Sequence, residues 1–159
     1  MYVSEPTWSN HHQVFQAVGF EVRTYRHYDP VTRALDFKGL VEALETAPEG
    51  AVFILHACAH NPTGCDPSKP QWQKIASVMK ARSLFPLFDA AYLGINSGDF
   101  AKDAAAIRYF VEDMGMNTAI CLSFAKNMGL YGMIILPSHR LCLCVVIVLN
   151  MLQVSVLAV

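Results

Sequence analysis

The sequence predicts an α/β fold, a mostly parallel sheet with helices on both faces in three layers, and three observations predict it. Apolar runs at residues 51–55, 84–88 and 119–122 have the composition of strands covered on both sides in a parallel sheet. Between them lie stretches whose apolar residues recur at helical spacing. The resulting order of strand, helix, strand, helix, strand brings successive strands parallel through right-handed crossovers.

Each element has its own signals. Asn10 is placed to cap a short helix with Val14, Phe15 and Val18 on one side, and Gly19 sits where that helix would end. Residues 20–28 alternate like a half-buried strand. Asp36 can cap a second helix carrying Phe37, Leu40, Val41 and Leu44, closed by Pro48-Glu49-Gly50. Asp66 and Pro67 read as the cap and first turn of a third helix, with Trp72, Ile75, Ala76 and Met79 on one face. A fourth is expected over 102–114, with Ile107, Phe110, Val111 and Met114 inward and Gly115 as its stop.

Composition narrows the function. With 53% hydrophobic and 16% charged residues in 159, the chain is too apolar for disorder and about one domain in size. A net charge of -1 and the lack of a basic run give no reason to expect a nucleic-acid partner. Five cysteines without a Cys-x-x-Cys pair fit a reducing compartment and argue against a disulfide scaffold or a zinc site, and no metal is expected. Residues 1–6 resemble neither a signal peptide nor an Arg-rich transit peptide.

In an open parallel sheet, ligands bind beyond the carboxyl ends of the strands. Those ends carry His56 and Asn61, then Asp89 and Tyr92, then Ser123 and Lys126. Each has a bland alternative. Lys126 can be a solvated turn residue, Asn61-Pro62 only a turn, Asp89 a loop cap and Tyr92 a rim residue. Together they offer an amine that can form a Schiff base, a carboxylate for a cationic ring nitrogen, and a phenol and an amide for a phenolate oxygen. That is the set a pyridoxal cofactor requires.

Four motifs carry a closer resemblance: Pro6-Thr7-Trp8-Ser9-Asn10-His11, the run His56-Ala57-Cys58-Ala59-His60-Asn61-Pro62-Thr63-Gly64, Phe88-Asp89-Ala90-Ala91-Tyr92, and residues 123–132 around Lys126. In order and spacing they resemble the class I pyridoxal-phosphate-dependent aspartate aminotransferases, over residues 1–132. The resemblance implies part of that family's large domain, pyridoxal 5'-phosphate as cofactor, and transfer of an amino group between L-aspartate and 2-oxoglutarate. It implies that Lys126 bonds the cofactor and shuttles a proton, that Asp89 pairs with the ring nitrogen, and that His11 supports Asp89. It further implies that Trp8 stacks on the ring, that Asn61 and Tyr92 bond the phenolic oxygen, that Ser123 touches the phosphate, and that Asn61-Pro62 is cis. His56 is expected behind these residues. A homodimer and a cytoplasmic location also follow, the latter on similarity of residues 73–80 and 107–111 to cytosolic members, with mitochondrial members as the alternative.

The departures are equally specific. The family's Gly-Thr-Gly phosphate loop has no counterpart here, and where it continues with Glu-Arg-Val-Gly after Gly132 this chain reads Met133-Ile134-Ile135-Leu136. The resemblance therefore implies a truncated piece with weak cofactor binding and little turnover, since losing charged bidentate contacts costs a few kcal/mol. Residues 133–159 read as an unrelated apolar tail. Its uncharged stretch at 141–159 has two readings: a membrane anchor, or sequence appended by a splicing or reading-frame change. Competing with the enzyme are a non-catalytic form that associates with full-length subunits and a tail-anchored fragment.

Overall fold

The computed structural model describes residues 1–127, 135–136, 139–140, 144–150 and 153–158. The chain opens with strand β1 (Tyr2–Glu5), helix α1 (Asn10–Ala17) and strand β2 (Arg23–Arg26), then a small ribbon of β3 (Tyr28–Asp29) and β4 (Ala34–Leu35). Helix α2 (Phe37–Thr46), β5 (Val52–His56), α3 (Lys69–Ala81) and β6 (Phe85–Ala90) follow. Short helices α4 (Phe100–Asp103) and α5 (Ala105–Arg108) lead through a π-helical turn, Tyr109–Asp113, to β7 (Thr118–Ser123) and α6 (Phe124–Asn127). The described remainder is a ribbon of β8 (Ile135–Leu136) and β9 (His139–Arg140), then β10 (Cys144–Asn150) and β11 (Gln153–Ala158).

Seven strands form the main sheet in the order β11-β10-β7-β6-β5-β1-β2. The pairs β5–β6 and β6–β7 are parallel, as the apolar runs predict, and so are β1–β2 and β1–β5, whereas β10 pairs antiparallel with β7 and β11 with β10. β1 has no counterpart in the sequence reading, and it lies between β5 and β2. The phenol of buried Tyr25 donates to the Ile54 carbonyl at 2.9 Å, tying β2 to β5 across that inserted strand. Among the described residues no helix is long and apolar enough to cross a membrane, and the described parts of 141–159 are strands.

Alternation along the strands splits the core in two. On one face, Phe53, Leu55 and Phe88 pack against Leu40 and Leu44 of α2, Trp72, Ile75 and Met79 of α3, and Ile107 and Phe110 beyond. Trp72, Phe88 and Phe110 form a ring cluster with centroids 5.1 to 6.1 Å apart. The opposite face carries the smaller set Val3, Ile54, Leu87 and Ala119, with Phe15 of α1 against it.

Three local expectations are corrected. On α1, Val14 and Val18 are 54% and 67% exposed and His11 is the buried residue, so this helix turns its polar side chain to the protein. The cap of α3 is Ser68, in a capping box with Gln71, and Asp66 instead serves the preceding loop. The helix expected at 102–114 breaks at Ala104, next to Asp103, a buried residue whose carboxylate accepts from the Gly94 and Ser97 amides. Asp36, by contrast, caps α2 as predicted, accepting from the Gly39 amide at 2.8 Å.

Candidate active site

The register places His56 beside Asp89 and Asp89 beside Cys121, so the carboxyl ends of β5, β6 and β7 lie side by side. There the chain turns into polar loops, and α6 starts directly after Ser123. A parallel sheet flanked by helices leaves this edge open, which is why the chemistry collects here.

Asp89 stands on β6, and His11 reaches it from α1 with Nε2 3.1 Å from Oδ2. Burial pulls the Asp89 carboxyl upward, but the His11 bond and the charges of His56, His11 and Lys126 outweigh it. The group therefore sits below the ordinary carboxylate value and stays ionised at neutral pH. The ammonium of Lys126, one turn into α6, lies 4.6 Å from the centroid of the Tyr92 ring and 5.6 Å from that of Trp8. Such distances are those of cation–π contacts. Trp8 is 42% exposed and meets His11 edge-on, so it stands on the solvent side of the site.

Behind Asp89 runs a chain of hydrogen bonds whose direction is set at its far end. The Asn61 amide donates to His56 Nδ1 at 3.2 Å, which leaves the His56 proton on Nε2. That nitrogen lies 3.5 Å from Thr7 Oγ1, and the Thr7 oxygen is 2.8 Å from His11 Nδ1. A carboxylate only accepts, so His11 carries its proton on Nε2 and accepts at Nδ1 from the Thr7 hydroxyl. All members then agree: Asn61 to His56, His56 to Thr7, Thr7 to His11, His11 to Asp89.

Burial pushes the His56 imidazole down to about 4, the Asp89 charge working against this, so the ring is neutral. Its neighbours continue the row. The His60 ring lies 4.2 Å from His56 and 3.7 Å from His27, the latter pair stacked. Burial also lowers His60 and His27. His60 sits between the hydroxyls of Ser4 and Thr63, and His27 Nε2 donates to the Cys65 carbonyl at 2.8 Å. Ligand atoms of His11, His56 and Asp89 lie within 4.8 Å of one another, a spacing that could hold a metal ion. The His56 lone pair at Nδ1 is however taken by Asn61 and its Nε2 bears hydrogen, which makes the trio a hydrogen-bonded relay.

The structure brings together Asp89, His11, Lys126, Tyr92 and Trp8. Asn61 joins through its backbone amide, and Ser123 ends β7 just ahead of Lys126. The bond Asn61–Pro62 is cis, and so is Glu5–Pro6, which the sequence reading did not single out. Thr7 escaped that reading as well, although its spacing of four from His11 was a usable signal.

An ionised carboxylate and a lysine beside aromatic rings, gathered at the carboxyl edge of a parallel sheet, mark an α/β protein with a ligand site at the usual place for that architecture. The comparisons with known proteins carry this further. The sequence matches the family "Aminotransferase class I and II" over residues 1–156, and the chain belongs to that family. It is similar to the cytoplasmic aspartate aminotransferase of Oryza sativa subsp. japonica, at 53% identity over 132 residues, covering 83% of this chain and 32% of that protein. It is equally similar to the mitochondrial aspartate aminotransferase of Schizosaccharomyces pombe, at 53% identity over 132 residues, covering 83% of this chain and 30% of the relative. Among solved structures it resembles the aromatic-amino-acid aminotransferase of Burkholderia pseudomallei, covalently bound to pyridoxal phosphate. The TM-score there is 0.80 at 41% identity, covering 82% of this chain and 32% of the other. The chain thus spans about a third of the length of the relatives it matches.

Proposed function

We propose that this site holds pyridoxal 5'-phosphate and serves transfer of an amino group between L-aspartate and 2-oxoglutarate. The observation that carries the reading is the pairing of an ionised, histidine-supported Asp89 with Lys126 at neighbouring strand ends. The donor set fits the group: a carboxylate for a cationic ring nitrogen, an amine for an aldehyde, and flat aromatic walls at Trp8 and Tyr92. When bound, the cofactor supplies an electron sink for the substrate α-carbon.

The residues of this chain do the rest. Lys126 would supply the amine that holds the aldehyde and a base for the proton at the substrate α-carbon. Asp89, kept charged by His11, holds a proton at the ring nitrogen. Tyr92 and Asn61 would hold the phenolic oxygen, Ser123 the phosphate, and Trp8 would cover the ring.

Resemblance to relatives named for aspartate supports that amino acid as donor, and the reading keeps the family's homodimer and the cytoplasmic location. We read 1–132 as the cofactor-binding unit and 133–159 as a tail; alignments over 132 residues favour that boundary, whereas the family match runs on to residue 156.

A single-turnover assay tests the proposal. Protein loaded with pyridoxal phosphate is given L-aspartate, then 2-oxoglutarate, and followed by absorbance. Because the chain spans about a third of its relatives' length, the expected result is slow and incomplete conversion to the amine form with its reversal, both lost in Lys126→Ala. Unchanged spectra with L-aspartate, or reaction surviving in Lys126→Ala, would overturn it.

A further inference from the structure

The loop between β5 and α3 presents three successive backbone amides, and two of them go to one side chain. Asp66 Oδ2 accepts from the Ala59 amide at 2.7 Å and Oδ1 from the His60 amide at 2.8 Å. The third, of Asn61, points back to His56 Nδ1. Ala59 adopts a φ of +48°, a left-handed conformation that a residue with a Cβ adopts only under constraint, and the carboxylate on its own amide supplies that constraint. A carboxylate spanning two consecutive amides forms charge-assisted bonds stronger than the neutral turn bonds around it. Asp66 is not needed by α3, whose first turn is satisfied by Ser68 and Gln71.

From this geometry we infer that Asp66 is a positioning residue: by clamping Ala59 and His60 it aims the Asn61 amide at His56 and so selects the His56 tautomer. With Nδ1 engaged, the His56 proton lies on Nε2, facing Thr7, and the order of donors through Thr7 and His11 to Asp89 follows. Without the clamp the Asn61 amide is free to swing, and His56 can exchange its proton between nitrogens. Each exchange reverses its donor role toward Thr7. Asp66 therefore acts on Asp89 from across the β5 loop, without touching it. The consequence for a ring nitrogen held by Asp89 rests on the function proposed above, whereas the tautomer itself does not.

The experiment uses the whole chain, uniformly labelled with ¹⁵N and free of cofactor. Long-range proton–nitrogen spectra at neutral pH should show His56 in the parent with a pyridine-type Nδ1 and a pyrrole-type Nε2. In Asp66→Ala both nitrogens should move toward the average of the two types while the amide signals of Ile54 and Phe88 stay in place. Asp66→Asn, which keeps one acceptor oxygen, should fall between. A His56 that keeps the parent's pattern in Asp66→Ala would overturn the inference. Where the alanine variant does not fold, the same pattern in Asp66→Asn would do so. A second measurement, pyridoxal phosphate titrated into parent and variants, separates the two proposals. A tautomer change with no cofactor binding even in the parent leaves the role of Asp66 standing and removes the cofactor reading instead.

Discussion

His11 and Asp89 are 78 residues apart in the chain, yet His11 Nε2 lies 3.1 Å from Asp89 Oδ2. The contact joins the helix after β1 to the end of β6, and it sets the electrostatics of the pocket. Replacing His11 by Phe keeps the ring volume and removes the donor, so the Asp89 carboxyl should titrate higher than in the parent. Carbon NMR of the carboxylates reads this directly. Cofactor affinity should fall roughly 10- to 100-fold, the size expected for losing a hydrogen bond to a charged group. An unshifted Asp89 would show that the histidine does not support it.

Asp89→Ala should separate capture from chemistry. The variant keeps Lys126 and should still take pyridoxal phosphate covalently, but without the carboxylate the ring nitrogen loses its proton and the half-reaction should slow by at least about 100-fold. An unchanged half-reaction rate would refute the role given to that side chain.

The buried histidines predict acid sensitivity with a definite sign. His56 is held at about 4 against an ordinary 6.5 by burial, and His60 and His27 are lowered as well. Below the ordinary value the unfolded chain takes up protons at these rings while the folded chain does not. Stability is thus fully present above about pH 6.5 and falls as pH drops toward 4, with His56 alone contributing at most about 3 kcal/mol of the loss. Urea unfolding at a series of pH values checks the slope, which His56→Asn should flatten.

Phe88 is fully buried between Trp72 and Phe110. Phe88→Ala should cost roughly 3–5 kcal/mol, combining lost transfer energy and an unfilled cavity. A urea midpoint indistinguishable from the parent's would mean that the ring cluster is not the centre of the core.

Much of this was legible because parallel strands announce themselves as unbroken apolar runs ending in polar residues. Asp36 showed as a cap because its acceptor serves the helix that follows it. Asp66 has the same look in sequence, and only the loop's return path shows that its acceptors turn back to Ala59 and His60. On α1, helical spacing marked Val14 and Val18 as inward, but a tertiary need, His11 against Asp89, decided which side faces the protein. Tyr2–Glu5 was missed because four residues of mixed polarity carry little periodic signal; its place between β5 and β2 comes from long-range pairing. The histidine row is spread over the sequence from His11 to His60 and is visible only once β1 and β5 lie side by side.

The most direct test of the account is borohydride reduction of the chain after mixing with pyridoxal phosphate, followed by peptide mapping of the labelled lysine. The account predicts a pH-sensitive absorbance band and label on Lys126 alone, absent in Lys126→Ala. Label scattered over surface lysines such as Lys38 and Lys69, with Lys126 unmodified, would contradict it.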